Sequence, residues 1–355
     1  MRFFHVADLH LGRRFRQGHG IEMSRKRREE LWKAFEEIII NCKKESIDAL
    51  FLSGDIYERE YFTISDYHRL GELLESLAPI KVFIIGGNHD FLRKDSYLLQ
   101  MNFSKHITIF SKESVEYYDW EEKNIRIMGF SWNSALWNKK VEFQNFPILD
   151  NGDNILLLHG TLNGNDYLPF QERDLKHFTY IALGHIHKPF LGNNMAYPGS
   201  TVPMSFKDIG NHGYISGVVE NGKSQFEYRP LSYRFFQTID YSLKDSEDFM
   251  EVFHTLKEKM NEANTCYRIK VTGDSPEFWS FEELEESLKP YGDFVEIIDE
   301  TESPWDIEYL LKGEEGEFIS HFIEYIASSD ESEEIKNLGI KIGLMELKGD
   351  SLWKY

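Results

Sequence analysis

Five short motifs constrain this chain more than anything else in it: Asp8-Leu9-His10, Gly54-Asp55, Gly86-Gly87-Asn88-His89-Asp90, His159-Gly160 and Gly184-His185-Ile186-His187. Each follows a short apolar run that reads as a buried strand. A fold that uses all five must therefore gather the ends of several strands at one place. Carboxylates, an amide oxygen and neutral imidazoles are the ligand mix suited to Mn²⁺, Fe²⁺ or Zn²⁺ at a two-metal hydrolytic centre. Glycines beside the ligands let the backbone turn sharply or approach an ion closely. Asp55, on a glycine turn between the other ligands in sequence, is the natural bridging carboxylate. His185 and His187, two apart on an extended segment, are expected to point the same way and to reach different metals.

The runs around the motifs alternate in type. Residues 2–7 read as a strand, 25–46 as a long amphipathic helix through Leu31, Phe35, Ile38, Ile39 and Cys42, and 48–53 as a second strand. Residues 64–77 form another helix, Pro79 stops it, and 80–85 is a third strand. This order predicts parallel strands with the motifs on loops at their carboxyl ends, where open α/β sheets bind ligands. From about 105 the strands shorten and crowd (125–130, 155–158, 180–183, 214–219, 225–229), which suggests a second, more antiparallel sheet. The expected class is α/β, a two-sheet sandwich flanked by helices. Arg268–Thr272 alternates like a strand between helices at 245–262 and 280–288, as in a small α/β domain. Beyond Trp305, Phe318, Ile319, Phe322, Ile323 and Ile326 recur at helical spacing, and a last helix is expected near 331–346. The domains read as 1–232, 233–303 and 304–355.

Charge is unevenly spread. The net charge is −20, but residues 240–355 hold 30 acidic and 11 basic side chains, leaving 30 and 29 in residues 1–239. Arg13, Arg14, Arg16, Arg25, Lys26, Arg27 and Arg28 crowd the segment after the first motif, well placed to hold a polyanion beside a phosphoester site. Cys42 and Cys266 give no reason to expect a disulfide. The N-terminus turns polar too soon for a signal peptide, and no apolar run approaches the roughly 18 residues of a membrane span, so a soluble cytoplasmic protein is expected. His5, His19, His68, His106, His177, His212, His254 and His321 lack partners at ligand spacing; His5 reads as a core histidine. Trp132, Trp137, Phe143 and Phe146 read as packing.

Taken in order, Asp-x-His, Gly-Asp-x-x-Glu, Gly-Asn-His-Asp, His-Gly and Gly-His-x-His resemble the calcineurin-like metallophosphoesterases. Residues 5–12 and 197–206 are similar to SbcD-type DNA repair exonucleases, and more narrowly to a YhaO-like bacterial branch. The resemblance covers residues 1–232 and weakens through 233–300, where that family carries a DNA-capping domain. It implies one metal on Asp8, His10, Asp55 and His187, and a second on Asp55, Asn88, His159 and His185. It also implies that His89 protonates the leaving oxygen or orients the phosphate, helped by the carboxylate of Asp90. Relatives carry His or Asp where this chain has Glu58, which could serve His89 as an acceptor instead. Two divalent ions, Mn foremost, a DNA substrate, a homodimer through 62–102 and a tail docking on an SbcC-like coiled-coil ABC ATPase follow by the same resemblance. The competing readings are a small-molecule or cyclic-nucleotide phosphodiesterase and a non-catalytic DNA-end tether.

Overall fold

The computed structural model of the chain describes all residues except 16–20, 138, 140, 232, 245–246, 274–278, 302–310, 313–315, 333–334, 337–338, 341 and 345–355. Arg16 and His19 of the basic segment therefore lie outside the described residues, as does much of the helix expected near 331–346.

Strands β1 (Arg2–Val6), β2 (Ala49–Ser53), β3 (Lys81–Ile85) and β4 (Ile107–Phe110) run parallel and in that order. The crossovers are made by helix α1 (Ile21–Glu45), helix α2 (Ile64–Glu75) and a single turn, α3 (Tyr97–Gln100). Helix α1 starts earlier than its apolar periodicity requires and buries Leu31, Trp32, Phe35, Ile38, Ile39 and Cys42. Thr63 caps α2 through a capping box with Asp66, which satisfies donors the first turn cannot bond internally.

The second sheet comprises β5 (Glu116–Trp120), β6 (Ile125–Gly129), β7 (Asp153–His159), β10 (Tyr180–Gly184), β11 (Phe190–Leu191) and β12 (Met195–Tyr197), in the order β11-β12-β10-β7-β6-β5. A short pair, β8 (Thr161–Leu162) with β9 (Pro169–Phe170), sits between β7 and β10 in the chain. Its core corrects the expected antiparallel texture: β6, β7, β10 and β12 are parallel, and only the outermost pairs are antiparallel. The crossovers here are loops and single turns rather than helices, so the sequence lacks the helical pattern that announces a parallel connection. Strands β13 (His212–Glu220) and β14 (Lys223–Leu231) do not join this sheet, as their spacing suggests, but extend the first one, β13 pairing antiparallel with β1.

Both sheets are six-stranded, and apolar side chains including Phe3, Phe51, Phe83, Phe110, Ile127, Ile155, Leu157 and Tyr180 fill the layer between them. A second layer under α1 and α2, and a third including Phe130, Trp132, Phe143, Leu156 and Leu183, cover the outer faces. The expectation that Trp132 and Phe143 pack internally is met, as is burial of Cys42 and Cys266, both free thiols.

The chain divides into two compact units, Met1–Gln237 with Glu262–Cys266, and Thr238–Asn261 with Tyr267–Tyr355. The second contains most of a three-stranded sheet of β15 (Phe235–Leu243), β16 (Thr265–Gly273) and β17 (Phe294–Asp299). Helices α4 (Phe249–Lys259) and α5 (Phe281–Leu288) bury Val252, Leu256, Leu284 and Leu288 in its core, with Ile269, Val271 and Val295. Helix α6 (Gly316–Ala327) follows the expected spacing of the tail. No helix among the described residues is long and apolar enough to cross a membrane.

Candidate metal centre

Backbone geometry organises the centre before any side chain does. Beyond β1 and β2 the two loops stay paired. Asp8 N–H donates to Gly54 O at 3.1 Å, His10 N–H to Asp55 O at 3.0 Å, and Leu11 N–H to Ile56 O at 2.9 Å. The Asp90 carboxylate ties in the third motif, accepting from Gly87 N–H at 2.6 Å, Asp55 N–H at 3.1 Å and Ile56 N–H at 2.8 Å. Asp55 accepts His89 N–H at 2.8 Å, and Asp8 accepts His185 N–H at 3.1 Å. These bonds hold Asp8, His10, Asp55 and His185 at φ of 51°, 45°, 51° and 103°. Such positions cost non-glycine residues roughly 1–3 kcal/mol each and persist only where the surroundings over-determine them. Positive φ at His185 also means that His185 and His187 do not share one extended segment. Gly87 is required by proximity: a Cβ there would collide with Asp55 Oδ1 and the His159 ring.

Side chains from all five motifs converge, in three overlapping clusters: Asp8, His10 and His187; Asp55, His159 and His185; and His10, Glu58 and His89. His10 Nε2 lies 3.0 Å from His187 Nε2, while His159 Nε2 and His185 Nδ1 lie 3.0 and 3.2 Å from Asn88 Oδ1. Asp55 Oδ2 sits between the clusters, 3.5 Å from His159 Nε2 and 3.9 Å from His10 Nε2. His185 and His187 thus fall in different clusters.

The hydrogen-bond partners show what these atoms require. His10 Nδ1 faces the Glu58 carboxylate at 3.0 Å and His159 Nδ1 faces Ser53 O at 2.9 Å; both partners only accept, so each ring carries its proton on Nδ1. The Nε2 lone pairs then point inward at further acceptors. Buried acceptors that face one another need a positive charge between them, either an added proton or a cation. Four imidazoles, two carboxylates and an amide oxygen suit a pair of divalent transition ions, so the donor set fits such ions.

Electrostatics agree. Burial alone would lower His159, but Asp55, its hydrogen bond and Asp8 raise it to about 9. His185 is pushed down to about 4 by burial and by neighbouring His159. Burial works against the charge of Asp55, yet His159 and His10 hold it ionised well below the usual carboxylate range. Ligands must shed protons to take a metal, so occupancy of this cluster is coupled to pH.

His89 stands slightly apart. Its Nδ1 lies 2.9 Å from Glu58 Oε2, and that hydrogen bond raises it above the usual imidazole value. Glu58 therefore accepts from His10, His89 and, at 2.9 Å, Arg13. Asp90 is fully buried and spends its oxygens on backbone N–H groups.

Two side chains at the centre had no signal in the sequence. The Tyr167 ring centroid lies 4.8 Å from that of His185, on the loop between β8 and β9 where Tyr167 and Leu168 both have positive φ. Asp208 approaches His187 Nδ1 at 3.9 Å and accepts from Met204 N–H and Ser205 N–H. The turn-rich Asn163-Gly164-Asn165-Asp166 run before Tyr167 is the only local hint of either.

Comparison with known proteins gives a consistent result. A DNA double-strand break repair protein Mre11 of Methanopyrus kandleri is 24% identical, the alignment covering 88% of this chain and 76% of that protein. Its counterpart from Methanocaldococcus jannaschii is 25% identical over 76% of this chain and 77% of its own length. An SbcCD nuclease protein of Staphylococcus epidermidis is 26% identical over 78% of this chain and 80% of its own. A solved dimetal phosphatase from Danio rerio aligns with 63% of this chain and 98% of its own, at 9% identity and a TM-score of 0.39. The family model described as calcineurin-like phosphoesterase matches residues 1–217, well over half of the chain. The chain belongs to the calcineurin-like phosphoesterase family.

Proposed function

We propose that this protein is a two-metal DNA nuclease that hydrolyses phosphodiester bonds in DNA repair, in the cytoplasm, as partner of an SbcC-like coiled-coil ATPase. The observation that carries the reading is the pair of facing lone-pair clusters around Asp55 beside an imidazole held apart from them. The names of the Mre11 and SbcCD relatives support DNA as the substrate and an ATPase as partner. Asp8, His10, Asp55 and His187 would hold one ion, and Asp55, Asn88, His159 and His185 the other, with Mn²⁺ the ion best matched to a mixed oxygen and nitrogen set. When bound, such a pair polarises the phosphoryl oxygens and lowers the pKa of a water.

The chain's own residues supply the rest. Asp55, with one oxygen on His89 N–H and the other toward His10 and His159, fixes the clusters relative to each other. His89 keeps Nδ1 on Glu58, so its Nε2 proton is the one available to a leaving 3′ oxygen. The raised pKa keeps that proton in place near neutrality. Asp90 acts through the backbone that carries His89. The second unit is read as a capping domain and residues 304–355 as the ATPase-docking tail, with a homodimer formed through 62–102.

The test is Mn²⁺-dependent digestion of linear duplex and single-stranded DNA by wild type and His89→Ala. A general acid is worth about 10²–10⁴ in rate, so the variant should lose that much while keeping its metals. Unchanged digestion by the variant would remove His89 from the chemistry. Hydrolysis of cyclic nucleotides without DNA cleavage would replace the nuclease reading, and metal-loaded protein with neither activity would leave a tether.

A further inference from the structure

Arginines and aromatic rings alternate along the loops beside the candidate centre. The Arg14 guanidinium lies over the Tyr61 ring at 4.8 Å, and those of Arg59 and Arg93 both lie over Phe91, at 4.6 and 4.9 Å. The series opens from a cavity of about 740 Å³ lined by Arg13, Arg14, Arg25 and Arg28 with Phe15 and Ser24. It is joined to the centre at two points. Arg13 reaches Glu58, which holds His89, and Arg59 Nη1 donates to Phe91 O at 3.1 Å, two residues beyond His89.

The charges differ in what already occupies them. Arg28 is paired with Asp66 at 2.7 Å and Arg13 with Glu58. Arg59 meets only Asp95, at 3.9 Å, a carboxylate that is 75% exposed. Arg14, Arg25 and Arg93 are exposed and make no ion pair among the described residues; Glu60, exposed in the same loop as Tyr61, is the nearest opposing acid in sequence. A guanidinium laid on a ring is held in place by the ring's electrons while its in-plane N–H groups stay free to donate. The rings here therefore position cations, and Phe91 already carries two of them.

We propose that Arg14, Arg25, Arg59 and Arg93 form a phosphate track, held in place by Tyr61 and Phe91, that grips a strand's sugar–phosphate backbone beside the scissile bond without stacking its bases. The proposal rests on the nuclease reading for its ligand, a polymeric phosphodiester, and adds where and how that ligand is held. Backbone-only binding has two signatures. Affinity falls steeply with salt, by about 0.7–0.9 logarithmic units per phosphate contact per tenfold salt, and base identity is immaterial.

The experiment measures fluorescence anisotropy of a labelled oligodeoxynucleotide, and of an abasic strand of equal length, with the full chain in EDTA across a salt series. Wild type should bind both strands within about threefold, since no base is stacked. Arg14→Gln and Arg93→Gln should each lower the salt slope by about 1, while Arg14→Lys, which keeps the charge, should retain it. Melting temperatures confirm that each variant is folded. Unchanged slopes in both glutamine variants, or abasic binding weaker by more than about tenfold, overturn the track. Wild type that binds in this manner but cuts no DNA once Mn²⁺ is restored would overturn the nuclease reading and leave the track standing. Failure to bind either strand overturns the track directly.

Discussion

At the scale of single residues, two buried groups show how the fold sets chemistry that the motifs alone do not. His5 is fully buried, with Nδ1 2.9 Å from the Tyr180 hydroxyl and Nε2 3.1 Å from Leu183 O, and burial pushes it down to about 3. A depressed imidazole keeps its full contribution to stability above the unfolded value near 6.5. The contribution drains away as pH falls from there toward 3, because the unfolded chain takes up the proton and the folded one does not. Wild type should lose roughly 2 kcal/mol of urea stability between about pH 7 and pH 5 that His5→Gln does not lose. Parallel pH profiles for the two proteins would count against this account. Asp90 tests a different point. Because its carboxylate accepts three backbone N–H groups, Asp90→Asn replaces an accepting oxygen with a donor and strands at least one of them. The expected cost is about 1–3 kcal/mol in chemical denaturation, together with lost activity. An inactive variant of unchanged stability would point instead to a direct part in the reaction.

At the scale of elements, what is legible in the sequence follows from how each strand is connected. β1, β2 and β3 can be read because each is a short apolar run and amphipathic helices separate them. The motif residues are legible for the same reason: they sit where a buried run meets glycine or a polar ligand. The second sheet is not, because β6, β7 and β10 are parallel without intervening α-helices, a relation carried by no local pattern. Tyr167 and Asp208 meet the centre only through tertiary folding. So does the tie between α1 and the segment after β14, where Arg234 donates to both Glu30 oxygens at 2.8 and 2.6 Å. The Arg234 side chain is completely buried and that of Glu30 nearly so. Removing one partner from such a pair leaves an uncompensated charge, so Arg234→Ala should cost about 3–5 kcal/mol in denaturant unfolding. The double change Glu30→Met with Arg234→Met should cost markedly less. Additive losses in the two single variants and the double would mean that the pair is not the tie.

At the scale of the whole molecule, metal ligation and folding should be separable because all the candidate ligands belong to one compact unit. Asp8, His10, Asp55, Asn88, His159, His185 and His187 lie within Met1–Gln237, whereas the second unit has its own apolar core around Val252, Leu256, Ile269 and Leu284. A ligand that binds only the folded form stabilises it by about 2.7 kcal/mol at a hundredfold excess over its dissociation constant. For a unit of this size each kcal/mol moves the melting temperature by roughly 2–4 °C, so saturating Mn²⁺ should raise one calorimetric transition by about 5–10 °C. The strained backbone at Asp8, His10, Asp55 and His185 belongs to the same unit, and an ion that relieves facing lone pairs offsets part of its cost. The second transition should stay where it is, and EDTA should return the first to its original position. His10→Ala, which leaves Glu58 to His89 and Arg13, should shrink the Mn²⁺-induced shift without altering the second transition. A single cooperative transition that moves as a whole would show that the two units melt together, and an upper and lower transition displaced equally by Mn²⁺ would place ions outside the five motifs.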